Sequence, residues 1–298
     1  MPSPITGATL DHVAVAVERW SDAWPRYAVE LGGAWGSGGL NVGFAPAQLR
    51  YANGGRVEIL QPWQAEDNPF LRRFLDRHGP GPHHLTFKVP DLASALDQTR
   101  DAGFAPVGVD LTHPDWKEAF LHPRQATGIV VQMAQATYAW ESASPEGFPT
   151  ARRVPPASLV RVTHAVADLD AGLGLFEELL GGRLLVRGTA PDRSWDFADL
   201  AWSGPPAIRL VAPGLEAASS AGPPDAPPES PLGTWLGGLS GRLHHLAFAL
   251  GRGDEVDQGP AADVPGLLPE DGPGRVIEPR DNFGTRLVLV ADGAGLDT

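Results

Sequence analysis

"GPHHLTFKV", residues 81–89, is answered 160 positions later by "GRLHHLAFAL", residues 241–250. Each reads as a β-strand by its period of two: in the first copy Leu85, Phe87 and Val89 share one face, and His84, Thr86 and Lys88 share the other. A doubled histidine at the mouth of the same kind of strand, twice in one chain, points to a duplicated unit. By strict alternation His83 faces away from His84 and has a structural role.

Three further segments have the same character: "LDHVAVAV" (10–17), "RVEILQP" (56–62) and "IVVQMAQ" (129–135). In the first, Val13, Val15 and Val17 form an apolar face opposite His12, Ala14 and Ala16. Helical patterns follow two of the strands, "RWSDAWPRYAVELGG" (19–33) and "DLASALDQTRDAGF" (91–104), the second opened by Asp91 as N-cap and closed by Gly103. Strand, helix and further strands thus occur once within 8–63 and again within 82–135. Helices covering the apolar strand faces leave the other face as a cleft.

His12 and His84 stand 72 positions apart, and Glu58 and Gln132 stand 74 apart. Two modules of equal length place these four side chains on corresponding strands of one curved sheet. Two imidazoles, a carboxylate and an amide oxygen form a set that Zn²⁺, Co²⁺, Ni²⁺, Mn²⁺ or Fe²⁺ accepts, with positions left for water or substrate. His122, in "FLHP", reads as a hydrogen-bonding residue of a turn.

The pattern recurs once more. "VRVTHAVADLDAGLGLFEELLGG" (160–182) parallels 8–33, "AIRLVAP" (207–213) parallels 56–62, and "GTRLVLV" (284–290) parallels 128–134. On this alignment His164 and His245 persist, while Arg209 replaces Glu58 and Val288 replaces Gln132, neither of which offers a lone pair to a metal. The expected organisation is a metal-binding domain at 1–135, a linker at 136–157 and a diverged domain at 158–298 that lacks a full ligand set. A Pro- and Gly-rich stretch at 212–233 reads as an inserted flexible loop.

Composition narrows the function. With 298 residues, 42% of them hydrophobic and 20% charged, the chain has the balance of an ordinary globular protein. A formal charge of -13 without a basic patch disfavours nucleic acid and anionic membranes as partners. No apolar run approaches the roughly 20 residues of a membrane span, and no basic leader opens the chain, so a cytoplasmic location is expected. With no cysteine, a metal must be held by His, carboxylate or amide. The expected partner is a small-molecule substrate, and the expected assembly a monomer or homodimer.

These residues resemble the vicinal oxygen chelate superfamily of glyoxalases and bleomycin-resistance proteins. The first domain is similar to methylmalonyl-CoA epimerases, through "RVEILQPWQAEDNPFLRRFLDRHGPGPHHLTFKVPDL" (56–92) and "AFLHPRQATGIVVQMAQ" (119–135). The resemblance implies an α+β fold of tandem domains, each made of two βαβββ modules that curve a mixed sheet around a cleft. It also implies His12, Glu58, His84 and Gln132 as ligands of one divalent metal ion. The chemistry implied is that of an isomerase, epimerase or lyase acting on a dicarbonyl or acyl-CoA-like substrate through a metal-stabilised enolate.

In that reading Glu58 is both ligand and catalytic base. Gln132 stands where these epimerases usually carry a glutamate, and residues 38–47 contain no carboxylate. Asp115 and Glu118, in "HPDWKEAF", are therefore candidates for a second proton acceptor, and Trp35, Phe44, Trp116 and Phe120 for pocket walls. Two alternatives stand beside it: an Fe²⁺-dependent dioxygenase, and a non-catalytic ligand-binding or drug-resistance protein of the same fold.

Overall fold

Alternating apolar residues build two open, mixed sheets, one from each half of the chain. The computed structural model describes residues 3–137, 141–192, 194–214, 230–251, 265–266, 268 and 274–291. The first sheet contains β1 (Thr9–Ala16), β2 (Ala34–Gly38), β3 (Gly43–Arg50), β4 (Arg56–Trp63), β5 (Gly81–Lys88), β6 (Val107–Asp110), β7 (Trp116–Leu121) and β8 (Val130–Ala136). Their order, β2-β3-β4-β1-β5-β8-β7-β6, sets two four-strand modules side by side about the antiparallel β1–β5 pair. The second sheet contains β9 (Ser158–Val166), β10 (Arg183–Thr189), β11 (Trp195–Trp202), β12 (Gly204–Pro213), β13 (Gly241–Leu250), β14 (Gly274–Ile277) and β15 (Leu287–Ala291). Its order, β10-β11-β12-β9-β13-β15-β14, repeats the first as far as it is described. Residues 215–229 of the expected inserted loop lie outside the described residues.

Most helices lie on one face of each sheet, while Phe70–His78 and Pro231–Leu236 pack on the other, the first against Ala14, Ala16 and Leu60 and the second against Ala165 and Val211. α1 (Trp20–Ala23) widens into a π-helical segment, Trp24–Glu30, and α2 (Phe70–His78) follows β4. α3 (Leu92–Asp101) begins where Asp91 accepts a hydrogen bond from the Ser94 backbone N–H at 2.6 Å, and Gly103 ends it at φ +86°, where a side chain would be strained. In the second half, α4 (Leu169–Leu173) runs into a π-helical Gly174–Leu179, and α5 (Pro231–Leu236) precedes β13. Among the described residues no helix is long and apolar enough to cross a membrane.

A single apolar core runs through both halves: Val13, Val15, Leu85, Phe87 and Val131 belong to it together with Phe176, Leu210, Leu246 and Phe248. The halves meet through reciprocal contacts. A Cβ on Gly128 would fall 1.7 Å from the Gly241 carbonyl oxygen, and one on Gly284 would fall 1.9 Å from the Pro80 carbonyl oxygen, so backbone touches backbone at both places. Gly128 and Gly284 hold equivalent positions ahead of β8 and β15, with φ of +85° and +70°, so the contact has an approximate twofold symmetry.

The register corrects two expectations. β5 is bulged at His83, because Ala14 pairs with His84 whereas Val15 pairs with Pro82. A bulge puts consecutive side chains on one face. His83 therefore lies beside His84 with its Nδ1 2.8 Å from the His84 Nδ1, instead of facing away. β13 repeats this at His244, next to His245.

Strand pairing also shifts the alignment of the halves. His12 pairs with Thr86, and Arg161 pairs with Ala247, which is the position matching Thr86; Arg161, not His164, therefore stands in the place of His12. His164 faces the helix-covered side, where its Nε2 meets the Thr127 carbonyl at 2.8 Å.

Candidate metal centre

The inner strands β4, β1, β5 and β8 carry the groups expected to converge. His12, Glu58 and His84 are buried, and they offer one ligand atom apiece within 4.8 Å of one another. Glu58 Oε2 lies 3.5 Å from His12 Nε2 and 3.7 Å from His84 Nε2. Gln132 lies in the next row: its Oε1 accepts from the Thr86 hydroxyl at 2.6 Å, and Thr86 Oγ1 is 2.9 Å from His12 Nε2.

Each imidazole is held by its other nitrogen. A second bulge, at Asp11 between Leu10 and His12, brings the Asp11 carboxylate 2.7 Å from His12 Nδ1. Arg56 donates to the second Asp11 oxygen at 2.9 Å. His84 Nδ1 is engaged by His83, whose ring stacks edge-on against Phe74 of α2 at 4.7 Å. With both Nδ1 atoms so occupied, both Nε2 atoms are directed at Glu58. His84 Nε2 is buried and has no hydrogen-bond partner, which is how a nitrogen shaped for a cation presents itself. The donor set fits a divalent ion.

The electrostatics agree with that geometry. Burial, together with the neighbouring His83 and His12, holds His84 well below the ordinary histidine value, so it is neutral. Burial opposes charge on His12 as well, but Glu58 and the hydrogen bond to Asp11 outweigh it and raise His12 to about 9. A proton on His12 thus balances Glu58 when nothing else does. For Asp11 burial is outweighed by His12, Lys88 and Arg56, and the carboxyl is lowered to about 2.

Of the other expected site residues, Trp116, Glu118 and Phe120 lie along β7 on the face of Gln132, with Phe120 paired to it. Glu118 Oε2 accepts from Gln132 Nε2 and from Trp116 Nε1, each at 2.8 Å. Phe44 lies on the same sheet face as Glu58 and packs on Phe70 of α2, closing one end of the cleft.

Trp35 and Asp115 are placed elsewhere. Trp35 pairs with Leu49, whose side chain belongs to the helix-covered core, and stacks on Trp20, Trp24 and Phe148. Asp115 is half-buried, and its carboxylate accepts from Thr137 at 3.0 Å.

Sequence reading missed two participants. Gln48 shares the cleft face with Phe44 and Pro46, a phase visible in "FAPAQL", and its amide donates to Glu58 Oε1 at 3.3 Å. Asp11 gives no such signal, because alternation puts it on the wrong face and only the bulge turns it inward.

The equivalent place in the second half is built for a different charge. Arg161, Arg209, His245 and Val288 stand where His12, Glu58, His84 and Gln132 stand in the first. Arg209 forks onto Asp199 with two bonds of 2.6 Å and donates to the Gly266 carbonyl at 3.0 Å. Two buried guanidinium groups repel a metal cation.

Residues 11–120 match the Glyoxalase/Bleomycin resistance protein/Dioxygenase superfamily, and the first half is a domain of that superfamily. An ethylmalonyl-CoA/methylmalonyl-CoA epimerase of Cereibacter sphaeroides is 28% identical over 136 residues, covering 42% of this chain and 96% of that protein. The structure of methylmalonyl-CoA epimerase from Mycobacterium tuberculosis is 25% identical, with a TM-score of 0.40, over 46% of this chain and 93% of that chain. A mutant of 4-hydroxymandelate synthase from Streptomyces coelicolor shares the two-domain fold, with a TM-score of 0.57 at 17% identity over 84% of this chain and 72% of that one.

Proposed function

We propose that the chain is a divalent-metal-dependent enzyme of proton transfer beside a carbonyl, an epimerase or isomerase, with lyase chemistry within the same site. The observation that carries this reading is the buried His12–Glu58–His84 cluster with its partnerless His84 Nε2. His12, Glu58 and His84 would hold the ion, and Gln132 Oε1 stands next to them as a fourth ligand atom. When bound, the ion supplies positive charge that stabilises an enolate on two neighbouring substrate oxygens, worth several kcal/mol of barrier.

The remaining chemistry falls to the chain. Inverting a carbon centre through its enolate calls for proton acceptors on two sides. Glu58 on β4 and Glu118 on β7 approach the His12–Thr86–Gln132 row from its two flanks on the same cleft face. Gln48 steadies Glu58, and Trp116 steadies Glu118. The 28% identical epimerase, matched over nearly its full length, supports an acyl-CoA thioester as the first substrate to try.

The test combines metal analysis with isotope exchange. Untagged protein is expected to carry about one equivalent of Zn²⁺, Co²⁺, Ni²⁺, Mn²⁺ or Fe²⁺, lost in a His12→Ala, His84→Ala double variant. Methylmalonyl-CoA in D₂O is expected to take up deuterium only with the metal-loaded enzyme. A protein that binds no metal on addition sinks the enzyme reading in favour of a ligand-binding protein. Two His and one carboxylate also suit Fe²⁺, so oxygen consumption that depends on added iron, without deuterium uptake, identifies an oxygenase instead.

A further inference from the structure

Lys88 is the last cleft-facing residue of β5, two positions beyond Thr86, and so about 6.6 Å along the strand from the row that holds His12 and Gln132. Its Nζ lies 3.8 Å from the centre of the Trp116 ring. The carboxylates around it are already committed. Asp11 is bonded to His12 and Arg56, Glu118 to Gln132 and Trp116, and Glu58 to Gln48. Among the described residues no carboxylate comes within 4.0 Å of Lys88 Nζ.

A half-buried ammonium set against an indole face, with no counter-ion of its own, is a binding group waiting for an anion. Burial lowers the Lys88 pKa, Arg56 acts in the same direction, and Asp11, Glu58 and Glu118 oppose them. An incoming carboxylate relieves that burial cost. The other end of the cleft is apolar, lined by Leu60, Leu71, Phe44 and Phe74, so a charged substrate group has one end at which to settle.

We infer that Lys88 is a specificity-determining residue, and that the substrate carries a carboxylate separate from its metal-chelating oxygens, held by Lys88 against Trp116. The inference rests on the metal-dependent reading above, and deepens it by naming the substrate class: an oxygen-chelating acid with a second, distal carboxylate.

The experiment compares two probes with one chelating head, 2-oxoglutarate and 2-oxopentanoate, which differ in having a carboxylate or a methyl group at the far end. Binding is measured by calorimetry on the full chain loaded with Co²⁺, in wild type, Lys88→Met and Lys88→Arg. Wild type is expected to favour 2-oxoglutarate by tenfold or more. Lys88→Met is expected to lose that preference while binding 2-oxopentanoate within twofold of wild type and keeping its metal content; Lys88→Arg is expected to keep part of the preference. A preference that survives in Lys88→Met, or none in wild type, overturns the inference. Protein that takes up no Co²⁺ overturns the enzyme reading alone, and the same comparison without metal then decides the role of Lys88: a preference lost in Lys88→Met supports it, and no preference overturns it.

Discussion

Metal binding at the His12 cluster is expected to release one proton, and to do so over an unusual pH range. His12 is raised to about 9 by Glu58 and Asp11 against the opposing effect of burial, while His84 is held neutral. Below pH 9 a cation must therefore displace the His12 proton, and affinity rises about tenfold per pH unit. Between pH 6.5 and 8.5 the gain is about 80-fold, where an ordinary imidazole of pKa about 6.5 gives about twofold. Competition of Co²⁺ between the protein and a chelator of known affinity across pH 6–9.5 measures the slope. Calorimetry in buffers of different ionisation enthalpy counts the proton. Asp11→Asn removes one of the two supports of the His12 charge, so its span is expected to fall between the two limits. A twofold change across the range in wild type would refute the reasoning. The same shift bears on folding: with its pKa raised above 6.5, His12 contributes stability that is complete below pH 6.5 and is lost as pH rises through 9.

Three further outcomes follow from the geometry. Replacing His83 by Ala frees the His84 ring at Nδ1, and is expected to weaken Co²⁺ binding 10- to 100-fold in the same titration while leaving one site per chain. Arg209→Leu leaves Asp199 charged and without its fork partner in a half-buried setting, and is expected to cost about 2–3 kcal/mol in urea unfolding without altering metal content. Gly128→Ala forces a Cβ onto the Gly241 carbonyl and is expected to lower the melting temperature well beyond Gly79→Ala, where φ is +70° but nothing lies within 4 Å. Equal losses for the two glycine variants would show that backbone conformation, not the contact between halves, sets the cost.

The repeat, the two sheets and the converging strands could be read from periodicity, because burial of one strand face imposes a period of two along the sequence. Departures from that period could not. His83 and Asp11 sit on bulges, where one extra residue reverses the phase, so alternation assigns both to the wrong face. His164 was legible and misread: it is in phase with Val162 and Val166 on the apolar face, while Arg161 is in phase with Thr163 and Ala165, as His12 is with Ala14. Trp35 could not be placed from sequence because edge strand β2 is too short to declare a face. Its side follows from pairing with Leu49, a long-range fact. α2 carries a legible spacing, Leu71 and Leu75, yet its position over Phe44 and His83 follows only from the folded sheet.

The reciprocal glycine contacts have the form of a dimer interface, with the same loop of each half resting on the opposite backbone. Two separate chains joined in this way would part on dilution, since their pairing falls as concentration falls. Here one continuous chain carries both β8 and β9, so the union of the halves is intramolecular and independent of concentration. At nanomolar levels, where a loosely paired dimer would fall apart into single domains, the His12–Glu58–His84 cluster of this chain keeps its neighbouring half.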